Sequence, residues 1–330
     1  MKILVWQTAF LGDLILTTPL IQSLKKNYPQ SKISLVCKSF GKEVFKHNPY
    51  VDELICFDKK TSSFFNLILN LKKKKFNLAI SPHRSHRASL SLFLAKIPVR
   101  VGFDKAGFSF LYTCVQKHEF SGGHEIERNL KLLSCLPDFD TQNICKIPSL
   151  YVKREEEKII SNLNLKFKKY IAIAPGSKWP TKCWTVKGFK EVVKYLVEKN
   201  YFVVLLGSEQ ENNVCEQIKQ NYAKVLNLAG KTTLRESFAL IKGAKLLISN
   251  DSAPVHMAVS LNTYVIAIFG PTVKKLGFYP YKNGEIIEVD LDCRPCGLHG
   301  HKKCPYGHHD CMKKISSKYV IQKIEEVLSR

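Results

Sequence analysis

Hydrophobic and polar residues alternate with two different periods along the first half of the chain. Short β-branched and aromatic runs predict strands over Lys2–Trp6, Ile33–Cys37, Glu53–Phe57 and Phe76–Ser81. Apolar residues at helical spacing predict helices over Leu14–Lys26, Gly41–His47 and Phe64–Lys74. Because strands that alternate with helices are typical of βαβ units, this half is predicted to form a parallel sheet.

The same alternation returns in the second half, after a charged helix predicted over Lys153–Leu165. Strands are predicted over Tyr170–Ala174, Phe202–Leu206, Leu246–Ser249 and Val265–Phe269. Helices are predicted over Val186–Lys199, Leu234–Ile241 and Pro254–Ser260. The expected fold class is therefore α/β, with two Rossmann-like domains, 1–152 and 153–330, facing each other across a cleft. The amphipathic last helix, Ser317–Leu328, is a candidate to pack back on the first domain.

Length and composition describe a folded globular chain. The 330 residues are 45% hydrophobic and 24% charged, which excludes general disorder. No run approaches the roughly 18 apolar residues of a membrane-spanning helix, and the N-terminus lacks the ordered regions of a signal peptide. We therefore expect a cytoplasmic protein.

The net charge of +23 is spread over the whole chain, with +11 in the first 150 residues and +12 in the rest. Such a charge favours anionic partners: nucleic acid, an anionic membrane surface or phosphorylated substrates. Charge alone does not choose among them, and a lysine-rich genome would produce much of the same excess. The lysine run 72–75 is interpreted as the solvated end of a helix.

The eleven cysteines fall into two groups. Seven are scattered singly and are interpreted as small buried hydrophobic residues: Cys37, Cys56, Cys114, Cys135, Cys145, Cys183 and Cys215. The other four lie close together: Cys293, Cys296, Cys304 and Cys311. Their spacing allows a structural zinc site, with His301, His308 and His309 as further ligands, although the last pair lacks the usual short spacing. The alternatives are simple packing without metal, a loop beside the site of a second substrate, and a redox role.

The first candidate site follows the first strand, in the segment Thr8–Asp13. A glycine-bearing turn from strand to helix directs backbone N–H groups toward an anion. Asp13 either caps the helix or faces the cleft, where its carboxylate would act as a general base. The segment is not a GxGxxG fingerprint and no acidic residue follows at the ribose position, which argues against a nicotinamide-dependent dehydrogenase.

The second candidate site follows the strand Tyr170–Ala174. Gly176 allows a close backbone approach to a ligand, Ser177 offers a hydroxyl group, and Lys178 and Lys182 offer charges for phosphate. The alternative is an ordinary loop with surface lysines.

Two further turns have the same strand-to-helix character. Gly207–Glu211 carries glutamates that either complement a helix dipole or accept hydrogen bonds from a ribose. In Ser249–His256, Pro254 suits the first turn of a helix, with Asp251 or Ser252 near its N-cap. The exposed N–H groups there are suited to a diphosphate.

Together these four segments resemble the ADP-heptose–lipopolysaccharide heptosyltransferases, the inverting enzymes of glycosyltransferase family 9 with the two-domain GT-B fold. The resemblance covers nearly the whole chain. Gly12-Asp13 followed by Thr17–Pro19 matches the opening motif of the family. Further matching segments are typical of the branch that adds the second heptose: Ser81–Arg87, Arg100–Phe103, His124–Asn129, Cys293–Cys296 and Cys304–Cys311.

The resemblance implies a role for each matching residue. Asp13 would be the catalytic base, and Gly12, Arg84, Arg87 and Arg128 would contact the acceptor in the first domain. The donor would be bound in the second domain by Ser177, Lys182, Glu211, Asp251, Ser252, Ala253 and His256. One departure is that Lys182 precedes Cys183-Trp184-Thr185, where the family commonly has Arg-Trp-Pro.

The implied reaction moves a heptose from ADP-L-glycero-D-manno-heptose to the heptosyl-Kdo inner core of lipopolysaccharide, at the inner face of the inner membrane. A lysine with a helix N-terminus can take the place of a metal at the diphosphate, so no cofactor is expected for catalysis beyond the possible structural zinc. Two alternatives stay open: another nucleotide-sugar transferase of the same fold, and a basic nucleic-acid-binding protein. The latter is disfavoured because no recognised binding module is present and the charge is not concentrated on one element.

Overall fold

The computed structural model describes residues 1–120 and 123–330, which divide into two compact units, Met1–Tyr151 and Val152–Arg330. The division falls one residue before the boundary expected from the sequence. Each unit contains a six-stranded parallel sheet. The α/β class and the paired Rossmann-like sheets predicted from the sequence are confirmed.

The first sheet has the strand order β3-β2-β1-β4-β5-β6. Its strands are β1 (Lys2–Trp6), β2 (Lys32–Cys37), β3 (Glu53–Cys56), β4 (Leu78–Ser81), β5 (Val99–Phe103) and β6 (Cys114–Gln116). The helices are α1 (Leu11–Ile15), α2 (Thr18–Asn27), α3 (Gly41–Phe45), α4 (Phe64–Lys74), α5 (His86–Leu94) and α6 (Glu125–Lys131). The order reverses beside β1, which is the position where open α/β sheets bind ligands.

The single helix predicted over Leu14–Lys26 is two helices, α1 and α2. Pro19 stands at the start of α2, where its missing N–H group and fixed φ angle suit a first turn but not a helix interior. The Thr17 hydroxyl donates to the Asp13 carbonyl across the break. The interruption keeps α1 as a short, separate turn directly after β1.

The second sheet has the order β12-β11-β10-β7-β8-β9. Its strands are β7 (Tyr170–Ala174), β8 (Phe202–Leu205), β9 (Val225–Asn227), β10 (Leu246–Asn250), β11 (Tyr264–Ile268) and β12 (Gly284–Ile287). The helices are α7 (Arg154–Asn162), α8 (Val186–Glu198), α9 (Asn212–Lys219), α10 (Leu234–Gly243), α11 (Ala253–Ser260), α12 (Asp310–Lys313) and α13 (Ser317–Leu328). The central strands are buried apolar runs, as both faces of a parallel sheet are covered by helices.

The last helix, α13, packs its buried residues Val320 and Ile324 into the core of the second unit. The Tyr195 hydroxyl on α8 donates to the Glu325 carboxylate at 2.9 Å. The sequence analysis proposed this helix as a candidate to pack on the first domain. In the structure, its buried face belongs to the core of the second unit. No helix among the described residues is long and apolar enough to cross a membrane.

Two cysteines interpreted as isolated hydrophobic residues form a disulfide, which corrects that prediction. Cys114 on the edge strand β6 is bonded to Cys135, with their Cα atoms 6.0 Å apart. Cys135 ends a 3₁₀ turn over Leu132–Cys135 that follows α6 and packs beside β6. The pairing depends on this tertiary contact across 21 residues, and spacing alone does not specify it.

Candidate active site

Asp13 lies on α1, directly after the carboxyl end of β1. Its side chain is half-buried and accepts a hydrogen bond from the Phe10 N–H group at 3.1 Å. Burial and the nearby Glu125 carboxylate raise the pKa of Asp13 to about 6, while the Arg84 guanidinium acts in the opposite direction. The carboxyl group therefore ionises close to neutral pH and is suited to taking up a proton.

A buried ion pair on α6 supports this arrangement. Glu125 accepts a hydrogen bond from Arg128 at 2.7 Å, and both side chains are at least nine-tenths buried. His118 lies on the other side, with its Nε2 atom 3.8 Å from the same carboxylate oxygen. Although burial raises the pKa of Glu125, His118 and Arg128 lower it below its ordinary range. Glu125 is therefore a fixed negative charge beside Asp13.

Arg128 is a structural residue in this unit. Its guanidinium also donates to the Phe120 and Gly123 carbonyls, each at 2.8 Å, and the residue is 2% exposed. These contacts link Phe120 and Gly123 to α6. The contact of Arg128 with an acceptor stays a prediction. The contacts observed here are with Glu125, Phe120 and Gly123.

Arg84 lies on the loop between β4 and α5, and Arg87 lies in α5, near the same edge of the sheet. Arg84 is half-buried, 3.4 Å from the His118 ring and 4.6 Å from the centre of the Phe120 ring. Arg87 stands in the first turn of α5 and is half-buried. Gly12 is next to Asp13 on α1, so these three predicted acceptor residues occupy one edge of the first sheet.

The loop after β4 is tied to the loop after β1 by side chains that the sequence analysis did not single out. Thr8 Oγ1 and His83 Nδ1 lie 2.9 Å apart. Burial, with nearby positive charges, lowers the pKa of His83 to about 4, so this ring is neutral at pH 7. Both residues lie in segments named in the sequence analysis, Thr8–Asp13 and Ser81–Arg87, but neither was given a role there.

In the second unit, Lys182 and Asp251 form an ion pair at the carboxyl edge of the sheet. Lys182 Nζ lies 2.5 Å from Asp251 Oδ2, and both side chains are largely buried. The Thr272 hydroxyl, on the loop after β11, donates to the same oxygen at 2.6 Å. Sequence reasoning chose Lys182 and Asp251 but missed Thr272, whose position after a central strand was the available signal.

The N-terminus of α11 lies beside this pair. Ser252 is the N-cap and its hydroxyl donates to the Gly176 and Asn250 carbonyls at 3.3 Å, so it does not cap the backbone N–H groups of the first turn. Ala253 begins the helix and Pro254 follows within its first turn. A helix start with N–H groups directed outward favours an anion.

His256 lies one turn into α11 and is 5% exposed. Burial lowers its pKa to about 4, with Asp251 and Lys182 as the nearby charges. The ring is therefore neutral at pH 7 and can donate or accept one hydrogen bond without adding charge. Its T-shaped contact with the Phe278 ring, at 6.4 Å, fixes its orientation.

The loops after β7 and β8 meet at Gly176. Glu211 accepts hydrogen bonds from the Ser208 N–H group at 2.5 Å and the Ser208 hydroxyl at 2.8 Å. A Cβ atom on Gly176 would lie 2.1 Å from Glu211 Oε1, so glycine is required for this approach. Ser177 is half-buried in the same loop, next to this contact.

The segment 293–311 braces the two loops that carry Lys182 and Thr272. Thr181 exchanges hydrogen bonds with the His301 backbone at 2.7–3.2 Å, and His309 Nε2 lies 2.8 Å from the Thr181 carbonyl. Arg294 donates to the Thr272 carbonyl at 2.8 Å and to the Gly270 carbonyl. Through these contacts the segment helps to position the Lys182 ammonium group and the Thr272 hydroxyl.

The cysteines of this segment are free, with Cys311 buried and Cys293, Cys296 and Cys304 half-buried. Burial and the neighbouring cysteines raise the pKa of the Cys296 thiol. Among residues 1–120 and 123–330, no three His, Cys, Asp or Glu side chains are grouped so that they hold a metal ion. The zinc site stays a prediction, and we derive no step from it.

Comparison with known proteins decides the family. Residues 64–308 match the profile of glycosyltransferase family 9 (heptosyltransferase). The chain belongs to glycosyltransferase family 9. This result confirms the family resemblance drawn from the sequence, and it establishes the protein as a glycosyltransferase.

Relatives within family 9 match over most of their length. The chain is 26% identical to lipooligosaccharide heptosyltransferase 2 of Campylobacter jejuni, over 99% of this chain and 98% of the relative. It is 30% identical to lipopolysaccharide heptosyltransferase 3 of Escherichia coli, over 84% and 85% of the two chains. The structure of Escherichia coli ADP-heptose lps heptosyltransferase II has a TM-score of 0.83 at 24% identity, over 99% and 98%. This likeness confirms the GT-B fold.

Proposed function

We propose that the protein transfers a heptose from ADP-L-glycero-D-manno-heptose to the heptosyl-Kdo inner core of lipopolysaccharide, with inversion at the anomeric carbon. Membership of family 9 supports a heptosyl donor, and the names of the relatives support a lipopolysaccharide or lipooligosaccharide acceptor. The observation that carries the mechanism is the half-buried Asp13 carboxyl group, whose pKa is raised to about 6 at the carboxyl edge of the first sheet.

Asp13 acts as the general base. The acceptor hydroxyl oxygen forms a bond to the anomeric carbon of the heptose while the bond from that carbon to the ADP oxygen breaks. Asp13 takes the hydroxyl proton, and ADP leaves with the electron pair of the broken bond. Attack from the face opposite ADP inverts the anomeric carbon. General base catalysis of this kind contributes about 10²–10⁴ in rate.

The second unit binds the donor. Lys182 and the N-terminus of α11, beginning at Ser252 and Ala253, stabilise the negative charge that develops on the leaving diphosphate. Asp251 holds the Lys182 ammonium group in place, since the two lie 2.5 Å apart. Three further residues complete the donor site: Ser177 and His256 at the diphosphate, and Glu211 at the ribose.

The first unit binds the acceptor, which carries phosphate and carboxylate groups on a lipid. Arg84, Arg87 and the backbone at Gly12 are the proposed contacts, because all three lie at the edge where Asp13 is placed. The lipid anchor of the acceptor implies that the enzyme works in peripheral contact with the inner face of the inner membrane. Nucleic acid is not a partner in this proposal.

Calorimetric titration with ADP, UDP, GDP and NAD tests the donor class first. We expect selective binding of ADP. Mass spectrometry then tests transfer from ADP-heptose to core acceptors that end in Kdo, in one heptose or in two heptoses, because the relatives include heptosyltransferases 2 and 3.

Transfer to the one-heptose acceptor supports the proposal. Transfer only to the two-heptose acceptor would move the reaction to the next step of the core. Preferential binding of UDP or GDP would retain the transferase but reject heptose. Binding of none of the four nucleotides, with salt-resistant retention on heparin, would favour a nucleic-acid-binding protein.

A further inference from the structure

One surface of the first unit exposes an unusual number of large hydrophobic side chains. Sixteen large hydrophobic residues are exposed in the described part of the chain. Six of them lie on α4, α5 and the 3₁₀ turn Ser109–Leu111 and its preceding residue: Phe65, Leu69, Phe93, Leu94, Phe108 and Phe110, with exposed fractions from 40% to 79%. We call these six residues the apolar patch. Patches of this kind on a soluble protein mark a surface that binds a partner.

The elements that carry the patch are neighbours in space. Helices α4 and α5 pack side by side on the same face of the sheet, and α5 also contacts the 3₁₀ turn. His86 at the start of α5 makes a ring contact with Phe108 at 6.3 Å, and Phe108 contacts Phe110 at 6.1 Å. The inner faces of the helices meet the core through residues such as Leu71 and Leu92. The outward residues are therefore not required for folding of the unit.

The chain around the patch is basic without interruption. Residues 59–103 contain ten lysines and arginines and no aspartate or glutamate. Four of the lysines form the run 72–75 at the end of α4, and Lys96 lies just beyond α5. The Arg100 guanidinium lies 5.6 Å from the centre of the Phe93 ring, so one of these charges borders the patch directly. A basic border around exposed aromatic residues complements an anionic lipid surface.

The patch is also continuous with the proposed acceptor site. Arg84 precedes α5 and Arg87 stands in its first turn, while Phe93 and Leu94 stand in its last turn. A helix of nine residues is about 14 Å long, so the acceptor contacts and the patch lie within one helix length. A lipid-anchored acceptor held at Arg84 and Arg87 therefore has its anchor within reach of the patch.

We propose that the apolar patch and its lysine border dock this protein on an anionic lipid bilayer, with the aromatic side chains inserted at the headgroup level. The inference rests on the proposed function for the lipid character of the acceptor, and it adds the surface by which the enzyme reaches that acceptor. The occupant is the bilayer itself, since residues 59–103 carry ten basic and no acidic side chains, and of the lysine run 72–75 Lys74 is paired with Glu53 from outside this range.

Co-sedimentation with vesicles tests the proposal. The full-length protein is mixed with vesicles of phosphatidylethanolamine and phosphatidylglycerol, or with vesicles of phosphatidylcholine alone. We expect binding to the anionic vesicles only. The triple variant Phe65→Ser, Phe93→Ser, Phe110→Ser should bind about tenfold or more weakly. The double variant Lys72→Glu, Lys73→Glu should lose about as much at low salt and less at high salt.

A matched variant controls for general loss of surface hydrophobicity. Phe167 and Phe202 of the second unit are 48% and 38% exposed, so Phe167→Ser, Phe202→Ser removes comparable side chains away from the patch. This variant should bind vesicles like the wild type. Phe110→Ser alone, at the most exposed position of the patch, should weaken binding in a chain whose melting temperature is unchanged. Equal binding by the wild type and the triple variant overturns the proposal.

Two further measurements distinguish membrane docking from a protein–protein interface and from a failure of the proposed function. A wild-type dimer that dissociates in the triple variant, without vesicle binding, would make the patch a protein interface and overturn the proposal. Transfer to a detergent-dispersed acceptor and ADP binding should be retained in the triple variant. If the wild type binds vesicles through the patch yet transfers no heptose, the docking surface stands and the proposed function fails.

Discussion

The two sheets of this protein place different charged groups at their carboxyl edges. The first unit gathers carboxylates in a partly buried setting, where Asp13 lies near the fixed negative charge of Glu125. The second unit gathers Lys182 and the start of a helix, while Asp251 is paired with the lysine and Glu211 is hydrogen-bonded to Ser208. One topology therefore supports a proton acceptor in one unit and an anion site in the other.

The difference arises from the loops, because the two sheets have equivalent strand orders. In the first unit, burial raises the pKa of the carboxyl group at position 13, and Glu125 raises it further. In the second unit, glycine at position 176 lets two loops approach closely. Function therefore depends on which side chains follow the strands, while the strands themselves only define where those side chains meet.

The largest effect is expected from a substitution that removes the proton acceptor of the first unit. In Asp13→Asn, the carboxylate is replaced by an amide that cannot take the acceptor proton, so transfer should fall by about 10²–10⁴. ADP binding, a property of the second unit, should be unchanged in calorimetry. Asp138→Asn, at an exposed position, is the control and should retain full activity. Normal turnover in Asp13→Asn would eliminate Asp13 as the base.

The next largest effect is expected from a substitution that removes the positive charge of Lys182 in the second unit. Lys182→Ala deletes a charge-assisted contact to the diphosphate and leaves Asp251 without its partner, so ADP affinity should fall about tenfold to a hundredfold. Lys187→Ala, an exposed lysine on α8, is the matched control. An unchanged dissociation constant for ADP in Lys182→Ala would refute the diphosphate role.

A smaller effect should follow from crowding the loops of the second unit. In Gly176→Ala, the new Cβ atom would displace the Glu211 carboxylate, since the two would lie 2.1 Å apart. We expect ADP affinity to fall several-fold, about 1 kcal/mol or more. Gly297→Ala, where the nearest atom lies at 3.5 Å, should bind ADP normally. Equal affinity in both variants would show that the approach of Glu211 to Gly176 has no role in donor binding.

The last prediction concerns pH. Since the pKa of Asp13 is raised to about 6 and the base must be ionised, the transfer rate should rise through pH 6 and level off above it. Removing the negative charge in Glu125→Gln should lower the pKa of Asp13 and move this limb to lower pH. The same change leaves Arg128 without a carboxylate and should lower the melting temperature.

The exposed Glu119→Gln is the comparison for the pH profile, and its rising limb should match that of the wild type. A profile that is flat between pH 5 and 7 in the wild type would contradict the proposed titration. If Glu125→Gln is folded and its transfer rate rises over the same pH range as that of the wild type, Glu125 does not raise the pKa of Asp13.

Pattern and motif predicted much of this fold and of its candidate sites. The βαβ alternation indicated two parallel sheets because strand and helix periods are local properties of the chain. The turns with Asp13, Lys182 and Asp251 were chosen because they follow predicted strands, whose carboxyl ends meet at one edge in a parallel sheet. The spacing of these residues along the chain does not indicate that Lys182 Nζ lies 2.5 Å from Asp251 Oδ2.

Other features were missed because they depend on residues distant in the sequence. The break between α1 and α2 had a local signal in Pro19, which the helical periodicity concealed. The disulfide between Cys114 and Cys135 had none, since it depends on a turn packing beside an edge strand. Thr272 had a signal in its position after a strand, but only the tertiary structure places its hydroxyl 2.6 Å from Asp251.

The sequence by itself determined the α/β class, the two-unit organisation and the family motifs, because these depend on local periodicity and on residue types at strand ends. The tertiary structure decided which of those residues have altered chemistry. Burial raises the pKa of Asp13 to about 6 and lowers that of His256 to about 4. Such shifts depend on distance from solvent and from charges on other elements, and the order of residues along the chain does not give those distances.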